Sequence, residues 1–271
     1  WLEDELSFLG DCPWEEDLSY VQALCKQLNV PLEILSLQQE YHDKVVRYTI
    51  EEIKAGRTPN PDIFCNSWIK FGAFYDMITT HFASANFDKI ATGHYAQVFL
   101  QDGQFVLQLT PDPIKDQTYF LARLTQNQLS KALFPIGSLI KSQVRQLAHQ
   151  FDLPTKNRKD SQGICFLGKL KFSDFVKCHL GELPGNLIEY ETGKILGRHL
   201  GYWFYTIGQR QGLGLSGGPW YVVGKEISKN IVYISKTYFD EAKERDTFEV
   251  TNCHWICGSE PKTNNLKVKI R

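Results

Sequence analysis

The chain has 271 residues, of which 42% are hydrophobic and 23% charged, with a formal net charge of −1. That length can bury a sizeable core and divide into two or three domains. The near-neutral total excludes a globally basic nucleic-acid binder, the absence of any apolar run near 18 residues gives no membrane-spanning helix, and seven unpatterned cysteines exclude a secreted disulfide scaffold.

Leu18, Val21, Leu24, Cys25 and Leu28 have helical spacing, which predicts a helix over 17–28 that Pro31 ends. Residues 32–37 read as a short strand. A second helix fits 42–55 and stops at Gly56, a favourable residue just past a helix end. Next comes Arg57-Thr58-Pro59-Asn60-Pro61-Asp62-Ile63-Phe64-Cys65. Two prolines in three positions fix φ and exclude helix at the residue before each, so this loop is stiff. Trp68, Phe71, Phe74, Tyr75 and Ile78 then predict a buried helix with Cys65 at its start. Residues 88–95 read as a strand running into Thr92-Gly93-His94-Tyr95. The α-β-α-α-β rhythm implies a parallel α/β sheet.

Asp102-Gly103 joins strands over 98–101 and 104–109 as a two-residue hairpin. Thr125 and Gln128 form the pattern of a capping box. Val144, Leu147, Ala148 and Phe151 mark a further helix, and 157–163 reads as a polar loop. From Lys169 the character changes. One short helix carries Phe172, Phe175 and Val176. Glycine-punctuated strands follow at 186–189, 195–196, 201–207, 219–223, 231–235 and 247–251, the pattern of small β domains. The expected domains are 1–166, 167–238 and 239–271.

Cys65 is the first candidate for chemistry, because a thiolate is the reactive form and a helix start lowers a thiol's pKa. The alternative is a small buried hydrophobe. Cys165, in Gly163-Ile164-Cys165-Phe166, follows a polar stretch able to carry a thiol to Cys65, or is itself buried. Cys253, His254 and Cys257 have zinc-like spacing but lack a second pair. Gly93 and His94 stand at a strand end, where nucleotides gather in α/β sheets. Lys115-Asp116-Gln117 is either an RNA contact or a solvated helix start. Lys156, Arg158, Lys159, Lys169 and Lys171 form the local basic patch that any RNA contact needs. Tyr205-Thr206-Ile207-Gly208-Gln209-Arg210 opens a basic turn that shapes a hairpin or positions RNA.

Taken in order, Gly56 to Asp62 with Cys65-Asn66, Ala91-Thr92-Gly93-His94-Tyr95-Ala96, Lys115-Asp116-Gln117-Thr118-Tyr119-Phe120-Leu121, Asp160-Ser161-Gln162-Gly163-Ile164-Cys165-Phe166 and Tyr205 to Arg210 resemble the tRNA-specific 2-thiouridylase family. The resemblance spans nearly the whole chain. It implies an adenine-nucleotide hydrolase-like domain of the PP-loop type, a small central tRNA-binding domain and a C-terminal β-barrel. It implies ATP-dependent thiolation of the wobble uridine of tRNA, with Mg2+ accompanying ATP and sulfur arriving as a persulfide from a donor or carrier protein. By position, Cys65 matches the nucleophile and Cys165 the persulfide carrier, with a disulfide between them after sulfur transfer. Asn60, Pro61 and Asp62 match the segment that meets the target base. Gly93 matches an ATP contact, and Lys115, Asp116 and Gln117 match tRNA contacts. The wording around Arg158 and Gly217-Gly218-Pro219-Trp220 is closest to plant and algal members, implying a plastid stroma, and a monomer is expected. The family's Ser-Gly-Gly-Val-Asp-Ser phosphate loop is expected upstream of Trp1, so this stretch reads as a fragment that binds ATP weakly. A catalytically inactive RNA-binding homologue and another PP-loop ATP pyrophosphatase stay open as alternatives.

Overall fold

A computed structural model describes residues 14–83, 87–159, 171–238, 247, 249–263 and 265–268. The first unit begins with helix α1 (Trp14–Leu28), which starts three residues before the expected span and buries none of its residues. The strand expected over 32–37 does not form: those residues make no ladder. Leu35 and Leu37 instead pack outside any ladder against two separate apolar clusters, and Leu37 leaves the extended region at φ −122°, ψ 24°.

Helix α2 runs on through Gln38–Tyr41, a π-helical His42–Val46 and Arg47–Lys54. Its buried face carries Val45, Val46, Thr49 and Ile53, and Thr49 is accommodated there because its hydroxyl donates to the Val45 carbonyl at 2.7 Å. It ends at Gly56, whose φ of 78° is the left-handed turn expected of that glycine.

Helix α3 runs through Pro61–Phe64, a π-helical Cys65–Ala73 and Phe74–His81. Pro61 occupies its first position, where a missing N–H costs nothing, and Asn60 is extended at φ −112°, ψ 91° as a residue before proline must be. The helix therefore starts at Pro61 and not at Cys65. The thiol lies one turn inside, and the stiff loop shortens to residues 57–60.

The expected parallel sheet is present at small scale. Strand β1 (Ile90–Ala91) pairs in parallel with β4 (Ala132–Leu133). The hairpin of β2 (Gln97–Gln101) and β3 (Gln104–Gln108) turns at Asp102 and Gly103, whose φ values of 50° and 76° are those of a type I′ turn. Helix α4 (Gln126–Lys131) has the capping box, with Gln128 N–H to Thr125 Oγ1 at 3.3 Å and Thr125 N–H to Gln128 Oε1 at 3.0 Å. Phe71, Ile78, Ile90, Leu121, Leu124 and Leu129 close one core over these elements. Helix α5 (Lys141–Gln150) lies outside that core.

The second unit opens with α6 (Phe172–Leu180), whose Phe175 and Val176 pack on Val46 and Ile53 of α2. Strands β5 (Gly185–Glu189), β6 (Ile195–His199), β7 (Tyr221–Glu226) and β8 (Ile231–Ser235) form a sheet in the order β6-β5-β8-β7. The β5–β8 pair is parallel and the other pairs are antiparallel. The strand expected over 201–207 is a 3-10 turn, Tyr202–Phe204, because Tyr202 turns into the core instead of joining a ladder. The described residues of 247–251 form no strand either. Further on, Ile256 packs on the first unit's core, and its carbonyl accepts from Gln126 Nε2 at 3.1 Å.

The units meet where α2 turns into the proline loop. Tyr202 Oη donates to the Lys54 carbonyl at 2.6 Å, and the hydroxyls of Thr58 and Thr206 lie 3.2 Å apart. A Cβ on Gly56 would stand 2.4 Å from Ile227 Cδ1. We expect Gly56→Ala to destabilise the protein by about 1–2 kcal/mol through the left-handed backbone alone, with more from displacing Ile227. Tyr202→Phe should cost about 1 kcal/mol for the lost hydrogen bond. Chemical denaturation of both variants checks this.

Candidate functional site

Loop 57–60 is held from three sides. Arg57 grips Glu52 with two charge-assisted bonds, Nε–Oε2 at 2.5 Å and Nη2–Oε1 at 2.6 Å. Thr58 meets Thr206, and Pro61 is fully buried. Asn60 stays exposed and Asp62 half-buried beside it, so these two side chains are presented from a fixed backbone.

Cys65 is 7% exposed and packs with Val45 and Ile69, flanked by Tyr41 and Trp68. Next to it, Asn66 is 2% exposed and its Nδ2 donates to the Phe120 carbonyl at 3.1 Å. Its Oδ1 has no partner among the described residues, an omission that costs about 1–3 kcal/mol in a buried acceptor. The π-helical turns open the helix ladder, and Gln128 Nε2 fills the gap by donating to the carbonyls of Ser67 at 2.6 Å and Phe71 at 3.2 Å. Gly72 belongs to the same feature, since a Cβ there would stand 2.9 Å from the Ser67 carbonyl oxygen.

Phe120 continues the segment that begins at Lys115-Asp116-Gln117. Gln117 pairs with Tyr95 in both directions, N–H to O at 2.9 Å and Tyr95 N–H to Oε1 at 3.0 Å. Asp116 is buried, and both its oxygens accept from the Thr118 hydroxyl, at 3.0 and 2.9 Å. Asp116 and Gln117 thus hold the segment's shape: the expected helix start is present as a 3-10 turn over Thr118–Leu121 with Gln117 at its N-cap, but it is not solvated, because Asp116 is buried. Asp112 joins in: its carboxylate accepts from the backbone N–H groups of Lys141, Ile114 and Lys115 at 2.8, 2.9 and 3.0 Å, which hold its pKa below the usual carboxylate range. The bonds to Ile114 and Lys115 are local, whereas the one to Lys141, 29 residues on, has no local sequence signal.

Through these bonds α3, the Lys115-Asp116-Gln117 segment and the turn at Thr92-Gly93-His94-Tyr95 form one connected unit. Gly93 is exposed, and a Cβ there would meet no atom within 4 Å. Packing does not demand glycine at this strand end, and the open face leaves room for a ligand. His94 accepts or donates through Nδ1 to the Thr92 hydroxyl at 2.8 Å. Burial, reinforced by Lys70, lowers its pKa to about 4, so the ring is neutral at physiological pH and offers no cation to a phosphate.

Cys165 and Lys169 lie outside the described residues, as does Cys12. Of the basic patch, Lys156 pairs with Asp152 and Arg158 with Asp17, so two of its charges are neutralised. Among the described residues no group of three or more side chains could hold a metal. His254 Nε2 lies 3.1 Å from the Leu124 carbonyl and Cys257 Sγ donates to the Ser259 carbonyl at 3.0 Å. Sequence reasoning also missed an aromatic trio beside Cys65. Phe64 sits 4.1 Å from Tyr48 and 4.5 Å from Trp68, with the Arg123 guanidinium 5.0 Å above Phe64. The i, i+4 spacing of Phe64 and Trp68 was its one local sign.

The family described as tRNA methyl transferase HUP domain matches residues 1–169, and the tRNA methyl transferase PRC-barrel domain matches 173–236. A protein of Parabacteroides distasonis named tRNA-specific 2-thiouridylase MnmA is 51% identical over 242 residues, 89% of this chain and 66% of its own length. A protein of the same name from Porphyromonas gingivalis is 48% identical over 255 residues, 94% of this chain and 69% of its own length. One from Bacteroides thetaiotaomicron, named tRNA-specific 2-thiouridylase MnmA 1, is 49% identical over 260 residues. The chain spans about two thirds of the length of the curated relatives it matches.

Because His94 is neutral in the fold, it binds its proton only below about pH 4, whereas the unfolded chain binds it near 6.5. Its contribution to stability is complete above pH 6.5 and is lost as pH falls toward 4. We expect the melting temperature of the parent to fall more steeply across that window than that of His94→Gln, read by thermal denaturation at matched ionic strength.

Proposed function

We propose, from the premise that this chain belongs to the tRNA methyl transferase HUP-domain family whose curated relatives carry the name tRNA-specific 2-thiouridylase, that it replaces the C2 oxygen of a tRNA wobble uridine with sulfur at the expense of ATP. The observation that carries the reading is a buried thiol, Cys65, one turn inside a helix whose Asn60-Pro61-Asp62 entrance is pinned by both units. A base leaving its stack needs such a rigid ledge, because a nucleophile misplaced by an ångström loses much of its rate.

The chemistry assigns roles as follows. The uracil C2 oxygen is a poor leaving group, and its adenylation by ATP releases pyrophosphate and makes AMP the leaving group. The terminal sulfur of a Cys165 persulfide attacks C2 and expels AMP. The Cys65 thiolate then attacks Cys165 Sγ, the bond between Sγ and the transferred sulfur breaks, a Cys65–Cys165 disulfide forms, and the electron pair leaves with the sulfur on C2 to give 2-thiouridine. A thiol reductant supplies the two electrons that restore both cysteines. Asn60 and Asp62 stand at the ledge for the base, the open face at Gly93 would hold ATP, whose Mg2+ would offset phosphate charge, and Lys115 would face the tRNA. Asp116 and Gln117 act by holding the shape of that segment. A persulfide donor protein, a monomeric state and a plastid stroma complete the proposal, and each rests on the resemblance alone. No helix among the described residues is long and apolar enough to cross a membrane.

The test is the whole protein with ATP, a persulfide donor and wobble-uridine tRNA, with 2-thiouridine read by mass spectrometry. We expect Cys65→Ala and Cys165→Ala each to cut product by about a thousandfold or more, the scale of losing a covalent nucleophile. Product persisting in either variant removes that thiol from the reaction.

A further inference from the structure

A groove of about 490 Å³ runs along α5, within the size range of about 300–1,000 Å³ that takes a small ligand. No residue of α3 lines it, so it is separate from the Cys65 ledge. Lys141, Arg145, Arg158 and Lys159 line it together with Tyr95 and Phe151. Apolar surface is open to solvent within it, Phe151 being 59% and Leu147 37% exposed.

Among the described residues no carboxylate lines this groove. Asp112, whose carboxylate reaches the Lys141 backbone, already spends it on three backbone N–H groups. Asp17 answers Arg158, whose guanidinium also lies 4.8 Å above Tyr20. Arg145 donates to the Lys156 carbonyl at 3.2 Å, which steadies its guanidinium at the rim. Lys115 lies close enough to Lys141 that its charge adds to burial in lowering the Lys141 pKa. Like charges gathered at an apolar floor describe a site for an anion that also carries a flat apolar face. Tyr95 ties this site to the Lys115-Asp116-Gln117 segment through its paired bonds with Gln117.

We propose that the α5 groove holds a nucleotide of the tRNA away from the target uridine, with backbone phosphate on Lys141, Arg145 and Lys159 and a base face against Phe151. The inference rests on the proposed tRNA reading and adds a second anchoring point to it. Cationic side chains interleaved with an exposed ring are the means by which proteins hold unstacked nucleotides. The phosphates of ATP share this anion chemistry, so the test must separate the two sources.

The experiment measures binding of unmodified tRNA to the whole protein at several salt concentrations, with no turnover required. We expect the double variant Lys141→Gln/Lys159→Gln to bind about tenfold more weakly at physiological salt. The slope of log K against log salt should fall by about 0.7–0.9 for each phosphate that is no longer neutralised. Phe151→Ala should weaken binding about fivefold or more, the scale of one base stack. In steady state the effect should fall on the KM for tRNA and not on that for ATP. Melting temperatures identify any variant that fails to fold, and the exposed Lys159→Glu supplies a second charge test independent of the half-buried Lys141. Unchanged affinity and slope in folded variants would overturn the proposal. A shifted KM for ATP alone would overturn it too, assigning the groove to nucleotide phosphates. If the parent binds tRNA through the groove yet forms no 2-thiouridine, the thiolation reading fails while the groove stands. If the parent forms 2-thiouridine and the variants bind as the parent does, only the groove fails.

Discussion

The placement of Cys65 depends on how α3 is held. Pro61 fixes where the helix begins, because a buried ring with no N–H fits only its first turn. Gln128 closes the carbonyls that the π-helical turns leave open, and Asn66 ties the same stretch to Phe120. Upstream, Gly56 leaves the space that Ile227 fills, and Tyr202 holds the last turn of α2. None of these interactions is strong by itself, since a net hydrogen bond is worth about 1 kcal/mol. Their effect is geometric. They act on consecutive parts of one backbone, so the thiol cannot move without breaking several at once.

This arrangement gives the second unit a role in the chemistry of the first. Thr206 belongs to the Tyr205-Thr206-Ile207-Gly208-Gln209-Arg210 turn, and it touches Thr58 in the proline loop. The turn is itself shaped by Gln209, whose Oε1 accepts from the Thr206 N–H at 3.0 Å. Of the two readings the sequence allows for this turn, backbone shaping is the one these bonds support. A disturbance of the β sheet would then reach the loop beside Cys65 through Thr206 and Ile227, not through the shared apolar packing of α2 and α6 alone.

The features legible in the sequence were those with a local cause. The capping box at Thr125, the Asp102-Gly103 hairpin and the helix stop at Gly56 are written within four residues of chain. Residues 32–37 and 201–207 read as strands because alternation signals a half-buried extended chain, and it does not say whether a partner strand exists. The first packs two leucines on separate clusters without a ladder, and the second is a turn. The site divides in the same way. Pro61 and Cys65 announce themselves, whereas Asn66 bonds a carbonyl 54 residues away, Gln128 one 61 away, and Asp112 an amide 29 away. Those distant bonds carry no local signature, although the capping bond of Gln128 and the bonds of Asp112 to Ile114 and Lys115 are local. Lys115-Asp116-Gln117 shows the complementary error: three polar residues in a row suggest one surface, yet Asp116 and Gln117 turn inward.

A net charge of −1 hides how the charges are grouped. Near α5 the acids are answered from inside the protein, Asp112 by backbone N–H groups and Asp17 by Arg158. Lys141, Arg145 and Lys159 are meanwhile gathered around one groove. At the ledge the opposite holds: Arg57 is paired with Glu52, and His94 is neutral. On the proposed reading this separates two tasks that compete when they share one place. Attraction of a polyanion is long-ranged and salt-dependent, and it is best spread over exposed cations away from the reacting atoms. Thiol chemistry needs a fixed site in which the thiolate can form, away from the negative charge of phosphates, which would oppose it. A nearly neutral protein can meet both needs by keeping its cations grouped along one helix and its thiol beneath another.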